Sequence, residues 1–112
     1  MRELDDKNDL DRAIKEKIGG FCGKTGSVFM TRTAERDSAL IGITKLGILE
    51  GLLCHIQEKR TIYSDFMDNG DSAWIVKDCV IEQVRLYVKL KFAASTSGER
   101  MIIISAHPDR RW

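Results

Sequence analysis

The sequence predicts an α+β fold in which two or three N-terminal helices pack on one face of a four-stranded antiparallel sheet. Two observations support this prediction. Apolar residues recur every three to four positions in the first half of the chain, as in amphipathic helices, and alternate with polar residues after residue 60, as in strands. Short polar turns separate the predicted strands, so neighbouring strands should run antiparallel. Helices that precede such a sheet cover one face and leave the other free for function.

The chain has the length and composition of one folded domain, residues 1–112. Hydrophobic residues make up 43% and charged residues 31% of it, which is typical of globular proteins. Apolar runs shorter than ~18 residues and an N-terminus without an apolar signal segment predict no membrane contact and a cytoplasmic location. Cys22, Cys54 and Cys79 are scattered and form no Cys-x-x-Cys pair. We therefore expect reduced, mostly buried thiols, no metal site and no cofactor.

Three segments carry helix signals. Residues 9–18 begin with acids and end with lysines, and Gly19 and Gly20 are expected to end this helix. A second helix should begin after Thr31 or Thr33, and a third should span residues 45–56 after the N-cap Thr44. The expected buried stripes are Leu10, Ile14 and Ile18 in the first helix, and Leu46, Leu49, Leu53 and Ile56 in the third. His55 lies beside the last stripe and is interpreted as a partly buried or surface histidine rather than a catalytic one.

Four segments alternate like strands, and they cover residues 60–67, 74–81, 83–92 and 100–107. Asp68 to Asp71, with its Asn-Gly pair, and Glu82-Gln83 are the predicted turns, and residues 93–99 are the predicted loop. Residues 27–30 are a short strand or an extended entry. The predicted core is Leu49, Leu53, Val84, Leu86, Val88, Leu90, Ile102 and Ile104.

One strand, residues 83–92, has an apolar face and a cationic face. Arg85, Tyr87, Lys89 and Lys91 alternate with the apolar residues and so share the second face. If residues 100–107 pair with this strand, Ser105 and His107 come near Arg85 and Tyr87. Two cations, a phenol, a hydroxyl and an imidazole would then share one small surface.

Charge is distributed unevenly along a chain whose net charge is only +1. Residues 71–112 hold seven bases against five acids, whereas residues 1–20 hold six acids and five bases. The basic excess lies with the aromatic and hydroxyl groups, so a polyanion is a plausible partner. Arg110, Arg111 and Trp112 are expected to form a tail that folds back on the sheet or stays unordered.

Six segments in this order resemble the RelE/ParE toxin superfamily, and above all its MqsR-type messenger-RNA interferases. Residues 28–34 resemble the family's Thr-Arg-Ser-Ala helix opening, and residues 46–48 its Leu-Gly-Leu step. Residues 62–63 resemble its Phe-Tyr pair, and residues 75–80 its Ile-Trp-Gln-Asp-Val-Tyr segment. Residues 86–90 resemble its Val-Tyr-Leu-Lys-Ile strand, and residues 103–107 its closing Ile-Val-Ser-Phe-Lys. The resemblance implies a toxin of a toxin–antitoxin system: a metal-independent endoribonuclease that cuts mRNA, on the ribosome or off it, and binds an antitoxin protein.

The chain keeps the family's tyrosine as Tyr87 and departs from it elsewhere. Ser64 and His107 stand where the family has lysines, and Lys77 stands where it has glutamine. Metal-free RNA cleavage needs a base for the 2′-hydroxyl proton, an acid for the leaving 5′-oxygen and cations for the phosphate. His107 is a candidate acid or base, Tyr87 can orient or donate, and Lys77 completes the predicted catalytic group. The predicted phosphate-binding residues are Arg85, Lys89, Lys91 and Ser105.

A second function remains open from the same residues. Lysines and arginines are common on any solvated sheet face, Tyr87 can pack rather than stack a base, and His107 can be a surface residue near the chain end. The alternative is a non-catalytic interaction or regulatory module on the same fold, which binds a protein or a nucleic acid through its cationic face. Convergence of three groups on one phosphate-sized spot would separate the two functions.

Overall fold

A computed structural model describes residues 1–109 of the chain, and the predictions for Arg110, Arg111 and Trp112 lie outside them. The described part is an α+β fold with three α-helices and one six-stranded sheet. The helices are α1 (Asp9–Cys22), α2 (Arg32–Leu40) and α3 (Lys45–Gln57), and the strands are β1 (Arg2–Glu3), β2 (Val28–Met30), β3 (Tyr63–Phe66), β4 (Ser72–Ile81), β5 (Val84–Ser95) and β6 (Gly98–Pro108). The predicted α+β class is confirmed.

The sheet is mixed, with the strand order β1-β3-β4-β5-β6-β2. Strands β3 to β6 form the antiparallel meander that the alternation predicts. The prediction of a purely antiparallel, four-stranded sheet is wrong, because β1 pairs with β3 at one edge and β2 pairs in parallel with β6 at the other. Strand β2 lies within residues 27–30, predicted as a short strand or an extended entry, but its pairing with β6 was not predicted, and β1 has only two residues, too few for a period-2 pattern to reveal.

The helices begin at side-chain caps. Thr31 accepts a hydrogen bond from Ala34 N, and Thr44 accepts one from Gly47 N, as their sequence positions predict. Helix α1 does not end at Gly19-Gly20 but continues to Cys22. Burial of Ile18 and Phe21 on one side of this last turn offsets the cost of two glycines, about 1 kcal/mol each.

Two leucines predicted to be buried are exposed. Leu10 is 79% exposed and Leu46 is 55% exposed, because each lies in the first turn of its helix, beyond the edge of the core. The cysteine prediction holds in part, since Cys79 is buried, Cys22 is half-buried and Cys54 is exposed. His55 is more deeply buried than predicted, at 3% exposure.

The core lies between the helices and one face of the sheet. Leu49, Leu86, Val88 and Leu90 are buried there as predicted, while Leu53 and Val84 are half-buried. Ile102 and Ile104 are only half-buried, and the core positions of β6 are Met101, Ile103 and Ala106. The reason is a bulge at Ile104, between the pairs Leu90↔Ile103 and Lys89↔Ser105, which reverses the inward and outward alternation along the strand.

No single helix within residues 1–109 is long and apolar enough to cross a membrane. Helices α2 and α3 meet the length and composition criterion only as a pair, and they are bent by 90° at the break between them.

Candidate functional site

The candidate site lies on the sheet face opposite the core, called the open face here. The side chains on it follow from the strand register and the two bulges, and all are at least partly accessible except Ala73 and Ile75. Ile75 is only 2% exposed because it lies between Tyr63 and Lys89 on the neighbouring strands. Part of the face predicted to be free is therefore covered by its own long side chains.

The three predicted catalytic residues lie in one row across three adjacent strands. Tyr87 on β5 is the direct partner of His107 on β6. On its other side, Tyr87 lies opposite the β4 bulge, because the pairs Val76↔Val88 and Cys79↔Leu86 leave Lys77 and Asp78 facing it together. Strands are spaced about 4.8 Å apart, so the row from Lys77 to His107 spans about 10 Å of backbone.

Tyr87 and His107 stack ring on ring. Their centroids lie 5.0 Å apart at an interplanar angle of 12°. His107 Nδ1 lies 3.0 Å from the carbonyl oxygen of Pro108, and a carbonyl only accepts, so Nδ1 carries the hydrogen. In the neutral ring, Nε2 is therefore the nitrogen with a lone pair that can take up a proton.

Burial and two carboxylates affect the Tyr87 phenol. Burial raises its pKa above the ordinary tyrosine value, and the negative charges of Asp65 and Asp109 raise it further. Asp109 is held in place at the end of β6, where its backbone N–H donates to Arg85 O at 2.9 Å. Its carboxylate accepts a hydrogen bond of 3.1 Å from the backbone N–H of Asp78 in the β4 bulge. The phenol thus stays protonated through neutral pH.

Lys77 lies at the junction between the open face and a polar pocket. Its ammonium is 5.0 Å from the centroid of the Tyr63 ring, a cation–π contact. The pocket has a volume of about 330 Å³. It is lined by residues of β4, by the start of β3 with the preceding Arg60, and by His55 of α3. His55 Nε2 donates to Thr61 O at 2.8 Å, and its buried Nδ1 has no hydrogen-bond partner among the described residues.

The predicted phosphate-binding residues spread along the open face. Ser105 and Lys89 are direct partners in the row next to Tyr87 and His107. Lys91 lies opposite Ile102, two positions further along β5, and its ammonium is 3.7 Å from Asp71. Arg85 is exposed at the other end, opposite Val80. Arg85 and Lys89 therefore flank Tyr87 along β5, Ser105 lies beside Lys89, and Lys91 is the most distant of the four from the stacked rings.

Sequence reasoning missed two functional candidates on β2 and β6. Phe29 is 43% exposed and lies beside Ile102 on the open face. The Arg100 guanidinium lies 4.5 Å from the centroid of the Phe29 ring. Arg100 opens a predicted strand, but strict alternation with Ile102 and Ile104 in the core would place it on the core side, and the bulge at Ile104 reverses this. Phe29 reaches the open face only through the parallel pairing of β2 with β6, which no local pattern reveals.

Within residues 1–109, no group of three His, Cys, Asp or Glu side chains is placed to hold a metal ion. In comparison with known proteins, no protein-family model, curated protein or solved structure matches the chain. Functional inference therefore rests on the residues of the open face.

Proposed function

We propose that this protein is a metal-independent endoribonuclease that cuts mRNA, a toxin of the RelE and MqsR type. The observation that supports this proposal best is the row of Lys77, Tyr87 and His107 across β4, β5 and β6. It combines a cation, a protonated phenol and an imidazole with a free ring nitrogen. These are the groups that phosphoryl transfer without a metal requires.

The proposed reaction is an internal transesterification. His107 Nε2 takes the proton of the RNA 2′-hydroxyl, and the 2′-oxygen forms a bond to phosphorus. The bond from phosphorus to the 5′-oxygen breaks, and this oxygen receives the phenolic proton of Tyr87. Lys77 and Lys89 stabilise the charge on the phosphate oxygens. The products are a 2′,3′-cyclic phosphate and a 5′-hydroxyl end, and solvent exchanges the protons back.

The stacked geometry suits this division of roles. Stacking on Tyr87 and the bond from Nδ1 to Pro108 O fix the orientation of the His107 ring. The raised pKa of Tyr87 keeps a proton available to the leaving oxygen at neutral pH. The proposal includes a cytoplasmic location, mRNA on the ribosome or off it as substrate, and a cognate antitoxin as protein partner.

The direct test is cleavage of RNA by the purified protein in EDTA. We expect internal cuts whose fragments carry 2′,3′-cyclic phosphate and 5′-hydroxyl ends, and arrest of growth when expression is induced in bacteria. Substituting 2′-O-methyl RNA should abolish cleavage, since that RNA lacks the attacking hydroxyl. Failure to cut any RNA, with ribosomes present or absent, would reject the proposal.

The second candidate is a non-catalytic module that binds nucleic acid or protein through the open face. The carboxylates of Asp65 and Asp109 favour it, because negative charge beside Tyr87 opposes a phosphate at that spot. Binding of RNA without cleavage, unchanged by His107→Ala, would support this module over the enzyme.

A further inference from the structure

A second aromatic group lies on the open face, away from the row of Lys77, Tyr87 and His107. Phe29 on the edge strand β2 keeps 43% of its surface exposed, although it is a large apolar side chain. The guanidinium of Arg100 lies 4.5 Å from its ring centroid. The guanidinium therefore covers one face of the ring, and an unpaired nucleobase can stack on the outer side of the guanidinium plane or on the exposed part of the ring.

We propose that Phe29 and Arg100 form a base-stacking subsite for single-stranded RNA that enters the site across β6 and β5. This inference rests on the proposed function for its substrate, but its evidence is separate, since neither residue belongs to the Lys77, Tyr87 and His107 row. Phe29 and Arg100 position the strand and take no part in the chemistry.

The charges between the two places fit an RNA backbone. Lys89 and Lys91 project from β5 on the same face, whereas Ile102 and Ile104 of β6 provide half-buried apolar surface beside them. Phosphates can follow the lysines while bases lie on the apolar side chains and the rings. Of the carboxylates near Tyr87, Asp109 follows the end of β6, and Asp65 lies on β3, four strands from the β2 strand of Phe29 in the sheet order.

The spacing sets the length of RNA that the face accommodates. Tyr87 lies four residues along β5 from Lys91. Lys91 pairs with Ile102 on β6, and Ile102 pairs with Phe29 on β2. With a rise of about 3.3 Å per residue and about 4.8 Å between strands, the backbone positions of Tyr87 and Phe29 are about 16 Å apart. A stacked strand that rises about 3.4 Å per nucleotide covers this distance with about four to five nucleotides, and an extended strand with fewer.

The proposed subsite should bind single-stranded RNA and not duplex RNA. A base must be unpaired to lie on the Phe29 ring and the Arg100 plane, because in an A-form helix both of its faces are covered by neighbouring bases. The inferred substrate is thus an unpaired stretch, with one base held several nucleotides from the scissile phosphate.

The test measures binding of uncleavable RNA by fluorescence anisotropy. The probe is a labelled 2′-O-methyl RNA single strand of about eight nucleotides, long enough to cover both places. Phe29→Ala should weaken its binding about tenfold or more, and Phe29→Tyr, which keeps a ring, should restore it. The matched control is Phe66→Ala, which removes an aromatic side chain that is 71% exposed on the other side of the sheet. It should change binding by no more than about twofold.

An abasic strand of the same length identifies the contact. Because it has phosphates and no bases, Phe29→Ala should leave its binding unchanged. Equal loss for the abasic and the complete strand, or no loss with Phe29→Ala, would overturn the subsite. Binding that depends on Phe29 in a protein that cuts no RNA would retain the subsite and reject the nuclease, whereas cleavage with binding indifferent to Phe29 would do the reverse.

Discussion

The contact between Tyr87 and His107 depends on a single extra residue. Without the bulge at Ile104, strict alternation would place His107 on the same face as Met101 and Ile103, inside the core. With the bulge, the core residues and the imidazole belong to the same strand but point to opposite faces. Thr31 stabilises this irregularity, because its hydroxyl donates to Ile104 O at 2.9 Å.

Asp11 is a buried carboxylate outside the candidate site, and both of its oxygens accept hydrogen bonds. Its two oxygens accept hydrogen bonds from the Arg2 guanidinium at 2.7 and 2.8 Å and from Asp5 N at 2.8 Å. The bonds from Arg2, followed by the one from Asp5, lower its pKa to about 2. The charged form is thus the one that the fold stabilises.

Asp11→Asn should lower the thermal midpoint at pH 7. The amide is uncharged and has a single oxygen, so it cannot accept both hydrogen bonds from the Arg2 guanidinium as the carboxylate does. Since the folded pKa lies below the ordinary value, the contribution of Asp11 is complete above about pH 4 and is lost as the pH falls towards 2. Circular dichroism melts at several pH values measure this. The control is Asp9→Asn, which removes a carboxylate that is 88% exposed. A gap between wild type and Asp11→Asn that stays constant down to pH 2 would contradict the assignment.

At the scale of elements, helix α3 packs closely on β4 at one glycine. A Cβ at Gly51 would lie 2.3 Å from Ile81 Cγ1 and 3.3 Å from the carbonyl oxygen of Val80. Such a distance is far inside van der Waals contact, so the Ile81 side chain or the backbone beside it must shift to admit a methyl group.

Gly51→Ala should therefore destabilise the protein by about 1–3 kcal/mol. Gly47→Ala is the control within the same helix, since its Cβ would meet its nearest neighbour, Thr44 Oγ1, at an ordinary 3.5 Å. That change should be neutral or stabilising by up to about 1 kcal/mol, because alanine favours helix. Urea unfolding gives both values. Equal stability of the two variants would show that α3 and β4 are not in close contact.

The turn between β4 and β5 uses residues that are poorly suited to it. Glu82 and Gln83 both have positive φ angles, 49° and 69°, as in a type I′ turn. Replacing the pair by Asn-Gly should raise stability by about 1–2 kcal/mol, because these residues adopt this region at lower cost. Unfolding in urea measures the gain, and the same pair placed at Thr96-Ser97 serves as a comparison turn. A loss of stability would mean that Glu82 or Gln83 makes a contact that the substitution removes.

Sequence patterns predicted the elements better than their details. Strict alternation located β5 and its cationic face, and the caps Thr31 and Thr44 located two helix starts. Ile102, Ile103 and Ile104 are consecutive and all apolar, so alternation could not show which of them face the core. The bulges at Ile104 and Lys77, and the pairing of Phe29 with Ile102, depend on contacts between distant segments. The site was therefore predicted along β5 and missed along β2.

At the scale of the whole molecule, the acids near the N-terminus are balanced by neighbouring bases. Asp5, Asp6, Asp9 and Asp11 lie in or just before helix α1, and several of them pair locally, as Asp6 does with Lys15 at 2.6 Å. The cations of the open face, Lys77, Lys89, Lys91 and Arg100, lie on the sheet. Although the net charge is only +1, the open face carries a cationic surface that can attract RNA in a salt-dependent way.

In the proposed reaction, His107 takes up the proton of the RNA 2′-hydroxyl. The most direct measurement is the single-turnover cleavage rate of one RNA, in EDTA, by the wild type, His107→Ala and Lys91→Ala. Loss of the imidazole should lower the rate by about 10²–10⁴-fold, with an unchanged circular dichroism spectrum. Loss of Lys91, a cation four residues along β5 from Tyr87, should have a smaller effect that diminishes as salt is added. A His107→Ala variant that cuts at the wild-type rate would contradict the account.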